Sequence, residues 1–316
     1  MATIKLSFWN VQNLFWPGSV ARGPNKPGEL DHKVDRLAQC INRFFSPDMP
    51  DLVGLAEVQD EPLARKLVSK LNGNYDVIWE HAPVGTGLGV LVNSATVASA
   101  RRVSAYAPSA LARPRAVIVE CVMRQTPVPF LLVLNHWRSR MPRRPGDAFS
   151  PARDRRETAD WIRSQLLSPQ QDPVFLIGDF NAEPTESPFA DSHLAASRHF
   201  PVGSNNSRFY NTAWRFLHEP LYWEDRHARA AEARPKRTFD GYPPAIFDQL
   251  LVSRQALNYV PFGIRESTVK CYVHDKVNSR QNRNGVLFPE PWQFRSAADF
   301  EGASDHYPLL AEVEIR

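Results

Sequence analysis

Val174-Phe-Leu-Ile-Gly-Asp-Phe-Asn-Ala-Glu-Pro184 is an apolar run that stops at a glycine and turns polar. Four consecutive apolar residues read as a buried strand, and Gly178 followed by Asp179 and Asn181 marks its end. A carboxylate and a carboxamide then sit two residues apart at a strand tip. Side chains alternate, so Asp179 and Asn181 share a face if the strand runs on that far, with Phe180 opposite. The carboxylate can hold a cation or take a proton from water, and the carboxamide can hydrogen-bond a developing charge. A turn explains the same residues, so other strands have to decide.

Several others end on polar residues. Ile4, Leu6 and Phe8 alternate with Lys5 and Ser7 up to Asn10, which is either a turn residue or a site residue. Asp51-Leu-Val-Gly-Leu-Ala-Glu57 closes on a carboxylate, an exposed strand end or a metal ligand. Phe130-Leu-Leu-Val-Leu134 runs into Asn135-His136, and a lone His after a strand is more often structural than catalytic. Ile246 to Ser253 carries Asp248 in an apolar setting, where a carboxylate needs a partner. Ser304-Asp305-His306 precedes the last strand, Leu309 to Ile315. Tyr75 to Glu80 and Gly87 to Val92 read as a strand pair, and Arg115 to Val122 with Pro129 to Asn135 as a hairpin. Helical spacing marks His32 to Phe45, Glu61 to Asn72 and Arg155 to Leu167, with a short helix at Phe189 to Ala196.

The chain of 316 residues is 43% hydrophobic and 23% charged, which fits one large globular domain over 1–316. Residues 197–243 read as a decorated insert of loops with one short helix, and Asn278 to Asn284 as a mobile polar loop. A net charge of +4 permits a polyanionic partner without requiring one. Three widely spaced cysteines, Cys40, Cys121 and Cys271, fit a reducing compartment better than a disulfide framework. The first ten residues lack the pattern of a secretory signal, and no apolar run is long enough to span a membrane. The expectation is a cytoplasmic protein without a membrane partner. Trp137 to Arg156 holds seven arginines against Asp147 and Asp154. It is a solvated charge run or a phosphate-binding rim.

Trp9-Asn10, Glu57, Asn135-His136, Gly178-Asp179-Phe180-Asn181, Asp248 before Leu250-Leu251-Val252, and Ser304-Asp305-His306 fall in this order at strand ends. In this order they resemble the endonuclease/exonuclease/phosphatase superfamily, in its deoxyribonuclease I-like and exonuclease III-like nuclease branch, from about residue 4 to 315. The resemblance implies an α/β four-layer sandwich: two packed, mostly antiparallel β-sheets flanked by helices. It implies a metal-dependent hydrolase, with Glu57, Asn10 and Asp305 at a magnesium ion, for which manganese would substitute. Asp179 would activate water, and Asn181 would stabilise the pentacovalent phosphorus. His136 and His306 would contact the scissile phosphate, and Asp248 would fix the tautomer of His306. Many relatives carry a carboxylate where this chain has Gln12, which argues mildly for a one-metal site dominated by Glu57.

For the substrate, His136-Trp-Arg-Ser-Arg140 is similar to the His-x-Lys-Ser-Lys stretch of a nuclease branch, placing Arg138 and Arg140 at a phosphate rim with Arg115 as a further candidate. Inositol 5-phosphatases carry Pro-Ala-Trp-Cys-Asp-Arg where this chain reads Pro244-Ala-Ile-Phe-Asp-Gln249, without the Trp and Arg. The expectation is a nuclease with DNA favoured over RNA. Alternatives are a ribonuclease, an inositol or lipid phosphoester phosphatase, and a silent nucleic-acid-binding module. A DNA-cutting enzyme in the cytoplasm also needs restraint, from a regulatory partner, an ordering loop or narrow substrate choice.

Overall fold

A computed structural model of the chain describes residues 2–19, 23–82, 85–109, 113–140, 151–166, 173–190, 194–196, 208–217, 246–258, 261–273, 277–281, 287–289, 303–304 and 306–316. Among them is a six-stranded sheet that runs β12 (Phe262–Cys271), β15 (Leu309–Ile315), β1 (Ala2–Leu14), β2 (Leu52–Val58), β4 (Gly87–Asn93) and β3 (Tyr75–Glu80). A seven-stranded sheet runs β5 (Val97–Tyr106), β6 (Ala116–Met123), β7 (Pro129–His136), β8 (Val174–Asp179), β11 (Asp248–Val252), β10 (Phe209–Asn211) and β9 (Ala195–Ala196). The pairs β1/β2, β7/β8 and β9/β10 are parallel, and the other pairs in these sheets are antiparallel.

Alternation along the strands builds four layers. Ile4, Leu6 and Phe8 of β1 meet Leu132 and Leu134 of β7 and Phe175 and Ile177 of β8 between the sheets. The odd-numbered neighbours Trp9, Val53 and Leu55 face outward onto α1 (Pro27–Ile41) and α2 (Glu61–Val68). On the other side Val133, Leu176 and Leu251 pack against α3 (Pro151–Leu166) and Phe189 of α4 (Ser187–Ala190). The central strands are therefore apolar on both faces, and this is why β8 reads as an unbroken hydrophobic run.

The same alternation aims the site. Asn10 continues the inward row of Leu6 and Phe8, His136 that of Leu132 and Leu134, and Asp179 that of Phe175 and Ile177. Asp248 opens the inward row of Leu250 and Val252. In register, His136 stands beside Asp179 and Asp179 beside Asp248. Four polar side chains thus collect at one rim of the gap between the sheets.

Several sequence expectations shift. The first helix starts at Pro27, not His32, because proline suits a first helical turn, and it ends at Ile41 rather than Phe45. The second stops at Val68 rather than Asn72, and the third begins at Pro151, four residues before Arg155. The span Phe189 to Ala196 holds the end of α4 and then strand β9, not one helix. Within 197–243, residues 208–217 hold a strand that was not expected and a short helix that was: β10 pairs with β11, a 3-10 helix follows at Thr212–Leu217, and Phe209, Ala213 and Phe216 are buried. The remainder of that segment lies outside the described residues. Of the expected loop Asn278 to Asn284, Ser279–Gln281 forms β13 and pairs with β14 (Leu287–Pro289), and 282–284 lie outside the described residues. Strands β5 and β12 were not anticipated. Both are edge strands, whose exposed residues break up any apolar run.

Candidate active site

On the seven-stranded sheet the polar residues are nearly buried. His306, just before β15, meets Asp248 with Nδ1 2.8 Å from Oδ2. An ionised carboxylate only accepts, so Nδ1 carries the proton and Nε2 is turned toward Asp179, 3.9 Å from its Oδ2. The other Asp248 oxygen, Oδ1, is buried without a hydrogen-bond partner among the described residues. Burial raises the proton affinity of Asp179, and nearby Asp248 adds to this; the His306 charge and hydrogen bonds from Asn181 and Asn10 oppose it. His136 is driven the other way. Burial, then the charges of Arg115, Arg113 and His306, push its pKa down to about 3, so it stays a neutral imidazole at ordinary pH.

The chain does not stay extended through Asn181. Strand β8 ends at Asp179, and Asn181 adopts a left-handed φ of 47°. This turn brings the Asn181 N–H to Asp179 Oδ1 at 2.9 Å, while the Asn181 side chain donates to the Trp137 carbonyl at 3.0 Å. Phe180 points away and packs on Trp137 and Phe189. Gly178 is required by close approach: a Cβ there would lie 2.1 Å from the Asn135 carbonyl oxygen.

On the six-stranded sheet the backbone departs from strand geometry. Alternation would send Glu57 outward with Leu55, but Glu57 has φ 63°. Its carboxylate instead accepts from Asn10 Nδ2 at 3.2 Å and from the Asn13 N–H at 3.0 Å. Gln12 and Asn13 are also left-handed, at φ 49° and 55°, where the pairing of β1 with β2 shifts register. The Gln12 N–H donates to Asn10 Oδ1 at 3.1 Å. Asn10 Nδ2 also donates to Asp179 Oδ2 at 3.1 Å, so one amide bridges the carboxylates of the two sheets. Ser304 ties the last segment in, with its hydroxyl on the Asn10 carbonyl at 2.6 Å and its oxygen accepting the His306 N–H at 3.1 Å.

The arginines assigned to a phosphate rim are engaged with carboxylates. Arg115 and Arg138 both approach Asp154 of α3, at 3.3 and 3.9 Å. Arg140 pairs with Glu186, donates to the Asn181 carbonyl at 3.3 Å and covers the Phe247 ring at 4.6 Å. Arg155 donates to the Arg138 carbonyl. Asp305 lies outside the described residues. The sequence reading missed Asp154, Asn13 and Ser304 as organisers. Only Ser304 carried a signal, from its place beside His306.

Among the described residues no group of three or more His, Cys, Asp or Glu side chains is gathered as a metal cage. The Glu57 and Asp179 carboxylates that converge here are hard oxygen donors; the Asn10 amide between them turns its N–H groups to both, and its Oδ1 accepts the Gln12 N–H. One or two carboxylates with water fit a magnesium-type cation. The sequence matches the Endonuclease/Exonuclease/phosphatase family over residues 8–306.

The chain belongs to this family.

The family's enzymes are phosphoesterases that typically use a divalent metal ion. Its fold is shared with solved relatives at low identity. D. rerio TDP2 complexed with single strand DNA product is 12% identical with a TM-score of 0.61, covering 99% of this chain and 100% of that one. The Bacteroides thetaiotaomicron VPI-5482 mannosyl-6-phosphatase is 13% identical with a TM-score of 0.57, covering 99% of both. Another family protein from Bacteroides thetaiotaomicron is 13% identical with a TM-score of 0.58, covering 99% and 97%. No curated protein matches the sequence. Among the described residues no helix is long and apolar enough to cross a membrane.

Proposed function

We propose that the chain is a divalent-metal-dependent phosphodiesterase acting on DNA, with Mg2+ as its cation and Mn2+ as a substitute. The observation that carries the hydrolase reading is the His306–Asp248 pair, whose second ring nitrogen faces Asp179 while Asn10 links Asp179 to Glu57. Asn10 and Glu57 would hold the cation, which when bound neutralises charge on the phosphate. Asp179, with its raised proton affinity, would orient and deprotonate the attacking water. His306, held by Asp248, would protonate the leaving oxygen. Asn181 has a second amide N–H beyond the one on Trp137, and His136 is a neutral donor; both would bind phosphate oxygens.

Two features favour a nucleic acid. A structural relative, D. rerio TDP2, is described with a single-strand DNA product. Trp16 stands at the same rim, 36% exposed, with its indole N–H held by Asp60 at 2.7 Å. A fixed aromatic face of this kind is what unpaired bases stack on. The equal coverage of a mannosyl-6-phosphatase supports a second reading, a phosphatase of small phosphoesters. Incubating the protein with plasmid, single-stranded DNA, RNA, inositol phosphates and mannose 6-phosphate, with Mg2+ or EDTA, separates them. Mg2+-dependent cleavage of DNA is expected. Release of phosphate from the sugar phosphates with intact nucleic acids overturns the DNA reading.

A further inference from the structure

Lys33 is fully buried, on the stripe of α1 that also carries Leu30, Val34 and Leu37 and faces the six-stranded sheet. An aliphatic residue would normally fill such a position, because a buried ammonium is costly unless its donors are used. The Lys33 ammonium donates to the carbonyl of Gln12. That carbonyl belongs to the left-handed pair Gln12 and Asn13. The two N–H groups of the same pair hold Asn10 Oδ1 and Glu57 Oε2. One buried cation therefore anchors the turn that sets Asn10 against Glu57. Left-handed backbone at non-glycine residues persists only where surrounding contacts over-determine it.

We infer that Lys33 is a positioning residue for the cation site, fixing the 10–13 turn so that Asn10 and Glu57 meet the metal together. This rests on the reading of Asn10 and Glu57 as metal-holding residues. The chemistry explains a lysine in an apolar stripe: methionine fills the same volume but removes the ammonium that donates to the Gln12 carbonyl.

The test compares wild type, Lys33→Met and Leu37→Ala, the last a buried residue of the same helix outside the site. Binding of Mn2+ and Mg2+ is read by calorimetry and by the rise in thermal midpoint on adding metal. Steady-state kinetics at saturating metal follow on whichever phosphodiester the wild type cleaves. Lys33→Met is expected to weaken metal binding by about 10–100-fold, the range seen when a ligand's supporting partner is lost, with KM for the substrate unchanged. Leu37→Ala is expected to lower the thermal midpoint without changing metal affinity. Unchanged metal affinity in Lys33→Met, or equal weakening in Leu37→Ala, overturns the inference. If the wild type takes up no cation, the cation-site reading falls first and takes the inference with it. Should Lys33→Met not fold, Lys33→Leu, which likewise has no donor, is read against the same outcomes.

Discussion

On the seven-stranded sheet His136, Asp179 and Asp248 stand on regular strands, whereas on the six-stranded sheet Glu57, Gln12 and Asn13 stand where the strands break. His136, Asp179 and Asp248 lie abreast in register, each continuing an inward row of apolar side chains. Glu57, Gln12 and Asn13 take left-handed backbone instead, and their contacts come from turns. The first half is fixed by the sheet itself and is buried, so its charges act in a low-dielectric setting. The second half depends on local anchors, and its carboxylate at the site among the described residues, Glu57, is 23% exposed at its side chain. On the function proposed above, proton chemistry would fall to the buried carboxylates of the first half and cation binding to the more exposed Glu57 of the second.

The largest expected effect lies where the two halves meet, at the His306–Asp248 pair. His306→Ala or Asp248→Ala should cut kcat by about 10²–10⁴-fold, the usual worth of a positioned acid–base group. Wild-type turnover in either variant would dissolve the contrast. Gly178→Ala tests rigidity directly, since the added Cβ would meet the Asn135 carbonyl at 2.1 Å. It should lower stability by several kcal/mol or prevent folding, read by urea unfolding, with about 1–3 kcal/mol typical of overpacking that can relax.

His136 gives the pH dependence. Its folded pKa of about 3 lies below the roughly 6.5 of an unfolded chain. The folded form therefore resists protonation, and the stability this group contributes is full above about pH 6.5 and lost as pH falls from there toward 3. His136→Asn should flatten the decline of stability between pH 7 and 4.5 by about 1–3 kcal/mol in urea midpoints. An equally steep decline in the variant would remove the buried neutral imidazole from the picture. The smallest effect belongs to the other half: Gln12→Asp adds a carboxylate to the turn that holds Asn10 and Glu57 and should tighten Mg2+ binding by less than about tenfold. Unchanged or weaker binding by calorimetry would show that residue 12 serves through its backbone alone.

The central strands of both sheets were legible in the chain. Val174 to Asp179 and Leu309 to Ile315 announced themselves because strands buried on both faces must be apolar throughout, and polar residues at their ends stand out. Edge strands β5 and β12 carried no such mark. The arginines at 115, 138 and 140 were visible as charge, but charge does not name its partner. Asp154 and Glu186 reach them only because α3 and the turn before α4 fold back onto the strand ends.

The order of polar strand ends, the identity of the family and the inward direction of Asn10, His136, Asp179 and Asp248 follow from sequence, because a strand's period of two makes side-chain direction a matter of counting. Tertiary structure decided the rest. Counting sends Glu57 outward and, had the strand continued, would have kept Asn181 beside Asp179 on an extended chain. Both instead sit in left-handed turns, and such a turn is stable only with its partners in place: Asn10 and Asn13 for one, Asp179 and Trp137 for the other.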